Sequence, residues 1–354
     1  MKKSIVNGIL TLVILITLSI SFILKESGFF RSIEPHFAGE IEVIPSPPGI
    51  EDLTIDHKTK KFYFSSVNRR DSDQRGDLFV GNIDNETFEF QNLTQAFSDS
   101  QFRPHGISLL NRYGKNYLFT ISHRNNQDVV DRFEISNDSL IHHYRFTDDL
   151  LISPNDLLAI DTATFYFSND HGLKPSPERR RKDFLLDKNG FIVLYDQGKT
   201  TVVSQKMAYP NGIGISPDHK YVYVTATTEK MVYVFEKDRK SHLLEFKDKH
   251  NTQSGVDNIE VDQFGNLIIG AHPKMLKFLG HATDSTKLSP SQILKVVYLP
   301  ETNYKFLQEE IYLNDGTPLS GSSVGAYYQW PDGKNDLLVG SVFESKILRL
   351  HRKL

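Results

Sequence analysis

Residues 209–225, YPNGIGISPDHKYVYVT, set a polar residue after a break, then a short apolar alternation, a Pro217-Asp218-His219-Lys220 turn and a strand through Tyr221, Val222, Tyr223 and Val224. Apolar residues at every second position give the period of a half-buried strand, so the unit reads as an antiparallel strand pair. Altered copies stand at 49–66 (GIEDLTIDHKTKKFYFSS), 104–122 (PHGISLLNRYGKNYLFTIS), 153–170 (SPNDLLAIDTATFYFSND) and 255–273 (GVDNIEVDQFGNLIIGAHP), with a weaker one at 321–341. A common strand-turn-strand unit appears twice by chance. Six copies at a spacing of roughly fifty residues predict an all-β six-bladed β-propeller, each repeat being one four-stranded blade.

The chain of 354 residues suits one such ring from residue 38 onward, and no second domain is expected. A lone strand, Gly39 to Ile44, precedes the first full copy and is predicted to pair into the last blade, closing the ring. Ahead of it, Met1-Lys2-Lys3 and an apolar run from Ile9 to Leu24 predict a signal anchor over residues 1–25, with a cleaved signal peptide as the alternative and residues 26–37 as a linker. The ring is then expected outside the cytoplasm, tethered to a membrane or secreted. The polar, basic insertion at 173–190 reads as a solvated loop, with a lid near the channel mouth as the alternative, a second insertion at 274–293 is expected to rim one face, and glycosylation sequons begin at Asn85, Asn92 and Asn137.

A formal charge of -3 gives no reason to expect nucleic acid, whose phosphates need an excess of Lys and Arg. With no cysteine, disulfides, thiolate nucleophiles and thiolate metal sites are excluded together, and a metal must be held by oxygen or imidazole.

Aligned on the apolar alternation, the copies place Glu51, His105, Asn155, Asn211, Asp257 and Ser323 at one blade position. The first strand of each blade lines the channel of a propeller, so these residues meet around the axis. Each polar group buried there without a partner costs about 2–7 kcal/mol, so something must converge on them. Single Asn or Asp residues at strand starts commonly bond local backbone. In register around a ring, Glu51, Asn155, Asn211, Asp257 and Asn258 instead offer five hard oxygens and two negative charges. That chemistry suits a calcium ion with room left for water and substrate. Asp52 and Asp156, one residue further along the strand and hence on its other face, are candidates for a second, structural calcium with the carbonyl of Ile107. His105 shares the ring position, and His123 follows within reach of the partner strand of the same blade, so one imidazole can orient the other for taking a proton from water.

These residues resemble the paraoxonase family of calcium-dependent lactonases and arylesterases through GIEDLTID, FRPHGIS, SPNDLLA with SNDHG, PNGIGISPDHKYVYV, VDNIEVD and GAHP. The resemblance covers nearly the whole chain. It implies a catalytic calcium on Glu51, Asn155, Asn211, Asp257 and Asn258, and a structural calcium on Asp52, Ile107 and Asp156. It implies a histidine dyad of His105 and His123, and a substrate pocket with Tyr209, His171, His272, Val342 and Phe343. The chain departs from the family in having no cysteine to tie its first and last strands and in carrying Pro and Arg where animal members have an aromatic, membrane-facing insertion. It also lacks the family pattern from Val67 to Gly76. The expected activity is hydrolysis of lactones with aryl esters as side substrates. A gluconolactonase-type sugar lactonase and a non-catalytic, membrane-tethered binding propeller are the alternatives.

Overall fold

The computed structural model describes residues 2–125, 127–136, 139–184 and 187–352; Asn137 of the third sequon and residues 185–186 of the first insertion lie outside them. Six four-stranded antiparallel sheets stand side by side as blades. Their first strands are Ile50–Asp56, Pro104–Arg112, Pro154–Asp161, Pro210–Ile215, Gly255–Val261 and Ser322–Gln329, each inside one of the six sequence copies. The sixth blade takes its outermost strand from the other end of the chain: Glu40–Pro45 pairs antiparallel with Lys346–Arg352, from Glu40 opposite His351 to Pro45 opposite Lys346. Strand pairing therefore closes the circle without a covalent bond.

Because the blades pack face against face, the apolar core is divided among six wedges rather than gathered at the centre. One wedge holds Leu157, Phe165 and Val193 of the third blade with Phe119, Val130 and Phe146 of the second. The wedge at the junction sets Ile44 of the closing strand and Ile347 against Ile50, Phe62 and Phe64 of the first blade. Hydrophobic burial of about 25 cal/mol per Å² thus acts between neighbours all round the ring. The axis is left to polar side chains.

Each first strand is irregular where its polar residues stand. Register shifts fall between Ile50 and Leu53, Pro104 and Ile107, Pro154 and Leu157, Pro210 and Ile213, Val256 and Ile259, and Ser322 and Val324. A bulge suspends strict alternation and re-aims side chains. Two successive residues, Asp257 and Asn258, are both buried and both bond to other blades as a result.

The helix α1, Lys2–Glu26, contains the one segment among the described residues long and apolar enough to cross a membrane, Ile5–Glu26, and none of its hydrophobic stretch is buried by protein. At 1.5 Å per residue it spans about 33 Å, the thickness of a bilayer core. Residues 26–37, expected as a linker, lie along the ring wall. Glu26 pairs with Lys230 at 2.8 Å, the Met275 amide donates to the Ser27 carbonyl at 3.0 Å, and Arg31 binds Ser254 and Glu310. Gly28 adopts φ 70°, and a Cβ there would stand 2.1 Å from the Pro273 carbonyl oxygen, so no other residue fits this approach. The insertions supply α2, Pro177–Phe184, and α3, Met275–Thr283.

Candidate metal and active site

The bulged residues of the first, third, fourth and fifth blades converge on the channel. Asn258 donates from Nδ2 to both the carbonyl and Oε1 of Glu51, at 2.9 Å each. Asn211 donates to Oδ1 of Asp257, whose Oδ2 stands 2.8 Å from Nε2 of His272. Ser323, the sixth copy's residue, donates to the Glu51 carbonyl at 2.6 Å and serves as mortar rather than as part of the oxygen set.

After these bonds are formed, Oε2 of Glu51 and Oδ1 of Asn155, Asn211 and Asn258 remain buried without a hydrogen-bond partner. Four acceptors from four blades, none with a donor, cost far more than one native structure tolerates by accident. All are hard oxygens, which fit a calcium ion. Among the described residues, no three His, Cys, Asp or Glu side chains group to hold a metal, so amides are indispensable to this donor set. Burial, with Asp257 and Asp52 nearby, lifts the Glu51 carboxyl to about 8 despite the opposing charge of Arg69.

Asp52 and Asp156 stitch neighbouring blades. Asp52 accepts from the amides of Leu53 at 2.8 Å and Ile107 at 2.7 Å, and Asp156 from Leu157 and Ile213 at 2.7 Å each. Burial pushes Asp52 up to about 7 and Asp156 well above the usual carboxylate range, outweighing the opposing pull of the amides that donate to them. Gly106 and Gly212 make room for the stitching. A Cβ on Gly106 would stand 2.5 Å from Oδ1 of Asp156, and one on Gly212 2.6 Å from the Ile259 nitrogen. The histidine and asparagine of those copies are therefore each followed by the one residue without a side chain.

His105 and His123 meet edge to face, ring centroids 4.8 Å apart. Nε2 of His105 is 3.4 Å from Oε1 of Glu51, and its Nδ1 is buried without a partner. Burial, then the charges of Arg69 and His123, hold its pKa well below the ordinary histidine value, so the ring is neutral near pH 7. Nδ1 of His123 stands 2.9 Å from Asp128. Asp128 escaped the sequence reading because it stands five positions from His123 with no period to link them.

Pocket residues expected from the resemblance lie nearby. His171 pairs with Asp170 at 2.8 Å and stands edge-on to Tyr209, at 5.1 Å between centroids; Tyr209 holds the left-handed φ of 61°. His272 stacks on Phe278 at 3.7 Å, Phe278 touches Phe343 at 5.9 Å, and Val342 is buried beside it. Phe278 came from the insertion at 274–293 and carried no repeat signal of its own.

The arylesterase family model matches residues 31–349. Serum paraoxonase/arylesterase 1 of Mus musculus is 29% identical over 311 residues, covering 84% of this chain and 85% of the relative. Serum paraoxonase/arylesterase 1 of Homo sapiens is 32% identical over 256 residues, covering 71% of this chain and 69% of the relative. Among solved structures, a luciferin-regenerating enzyme superposes with a TM-score of 0.54 at 14% identity, covering 89% of this chain and 97% of its own; that likeness concerns the fold.

Proposed function

The chain belongs to the arylesterase family, and on that premise we propose that it is a calcium-dependent hydrolase of lactones with aryl esters as a second substrate class. The observation that carries the metal is the set of unpartnered buried oxygens on Glu51, Asn155, Asn211 and Asn258. With Asp257 they would hold a catalytic ion, and Asp52, Asp156 and the Ile107 carbonyl a structural one. Calcium, when bound, supplies polarisation of an ester carbonyl and electrostatic stabilisation of the negative charge that develops on its oxygen.

The protein's own groups do the rest. His105 is held neutral, and with its Nε2 proton turned to Glu51, its Nδ1 lone pair accepts a proton from water. His123, edge-on to it and held by Asp128, orients the His105 ring. Phe278, Phe343 and Val342 form an apolar wall that suits an acyl chain better than a sugar ring, which favours this reading over the gluconolactonase type. The helix α1 anchors the ring to a membrane outside the cytoplasm.

Full-length protein in detergent, assayed on aliphatic lactones and phenyl acetate before chelation, after it and with calcium restored, tests this function. Activity lost and recovered supports the reading. Activity indifferent to chelation removes calcium, and no hydrolysis of any substrate by folded protein removes the hydrolase.

A further inference from the structure

The stretch from Val67 to Gly76 reaches Glu51 through Arg69 and Phe343 through Arg70, and Arg69 is a buried cation with few hydrogen-bond acceptors. Arg69 has only 13% of its side chain exposed. Its Nη2 donates to the Pro104 carbonyl at 3.3 Å, and its Nε is buried with no acceptor. Oε2 of Glu51 lies 4.0 Å away, beyond hydrogen-bond distance, while the other oxygen of that carboxylate is engaged by Asn258 and faced by His105. A guanidinium has five donors, and burial without acceptors raises its cost.

The loop is also tied down on the C-terminal side of Arg69. Arg70 stacks 4.7 Å over the Phe343 ring and donates to the Phe343 and His281 carbonyls. Arg103 donates to the carbonyls of Asp71 and Gln74. Arg69 is thus fixed between the aromatic wall and the bottom of the channel, its fork not free to swing into solvent. A fixed, half-dehydrated fork is the arrangement by which proteins bind carboxylates and phosphates.

We propose that Arg69 is a specificity-determining residue that binds an anionic group on the substrate, so that the preferred lactones and esters carry a carboxylate. This rests on the hydrolase reading above and narrows it. The anion supplies the acceptors that Arg69 lacks, and the apolar remainder lies along Phe343 and Phe278. A neutral lactone leaves Nε of Arg69 without a partner.

The test compares γ-butyrolactone-γ-carboxylate with its carboxamide, nearly equal in shape and different in charge, using full-length protein supplied with calcium. The ratio of kcat/KM values, acid over amide, is expected to exceed one for the native chain. It should fall by about 10- to 100-fold in Arg69→Gln and by less in Arg69→Lys, which keeps the charge and loses the fork. Thermal melting checks that both variants fold, and the lysine variant keeps the comparison available if the glutamine variant does not. A native ratio at or below one, or a ratio unmoved by either substitution while hydrolysis continues, overturns the assignment and leaves the hydrolase standing. Absence of hydrolysis of any ester or lactone removes both together.

Discussion

Asn258 spans 207 positions of sequence to place its Nδ2 2.9 Å from both the carbonyl and the Oε1 of Glu51, with its own Oδ1 left unpartnered. One amide therefore ties the fifth blade to the first and presents an oxygen to the channel. The two roles make it a sensitive point of the site.

Replacing Asn258 with Ala removes both. Calcium affinity is expected to fall by at least the 10- to 100-fold that loss of a supporting ligand partner costs, with hydrolysis falling alongside it. Isothermal titration with calcium reads the affinity directly. Unchanged affinity would count against the ligand set as a whole.

The carboxyls of Glu51 and Asp52, lifted to about 8 and about 7 from ordinary values of 4.5 and 3.8, bind protons more tightly in the metal-free fold than in the unfolded chain. A group of this kind stabilises the fold while protonated, and the contribution is lost as pH rises from the unfolded toward the folded value. Chelated protein should accordingly melt at progressively lower temperature between about pH 4 and 8. Calcium, binding the deprotonated ligands, should protect most at the upper end of that window. Chelated protein that grows more stable over this range would contradict the picture.

His105→Gln keeps a polar side chain and removes the base. Turnover of unactivated lactones should drop by about 10²- to 10⁴-fold, and turnover of activated aryl esters by distinctly less, since a good leaving group needs less help from a base. Asp128→Asn should give a smaller loss with the same substrate pattern, because Asp128 acts only through His123. Equal losses on both substrate types in His105→Gln would argue for a purely structural histidine.

Ile44 is buried at the junction between the closing strand and the first blade. Ile44→Ala is expected to cost about 2–5 kcal/mol, the range for truncating a buried aliphatic side chain. With no cysteine to hold the circle shut, that loss falls on strand pairing and packing alone. Chemical denaturation of native and variant protein gives the difference, and a change below about 0.5 kcal/mol, the usual size of a surface effect, would mean that the ring does not depend on this wedge.

Much of the ring was legible in the chain itself. The six copies, the turn at Pro217 to Lys220 and the lone strand ending at Ile44 are local patterns, and local patterns depend on residues a few positions apart. The polar position of each copy was legible for the same reason: an apolar slot does not accept Glu51, His105, Asn155, Asn211 and Asp257 in register. The bulges were not, since a two-residue irregularity leaves no period, although Gly106 and Gly212 mark where a side chain could not be accommodated. Arg69 stood in a stretch set apart for lacking the family pattern, and Asp128 in a loop without one.

Sequence by itself determined the blade count, the strand alternation and which side chains are too polar for the wedges, because each follows from the short-range geometry of a pleated strand. Tertiary structure alone decided that Asn258 reaches Glu51, that residues 26–31 lie against the ring wall, and that Arg69 ends in the channel without enough acceptors. Those contacts join residues whose separation along the chain carries no information about their distance, and only closure of the ring brings them together.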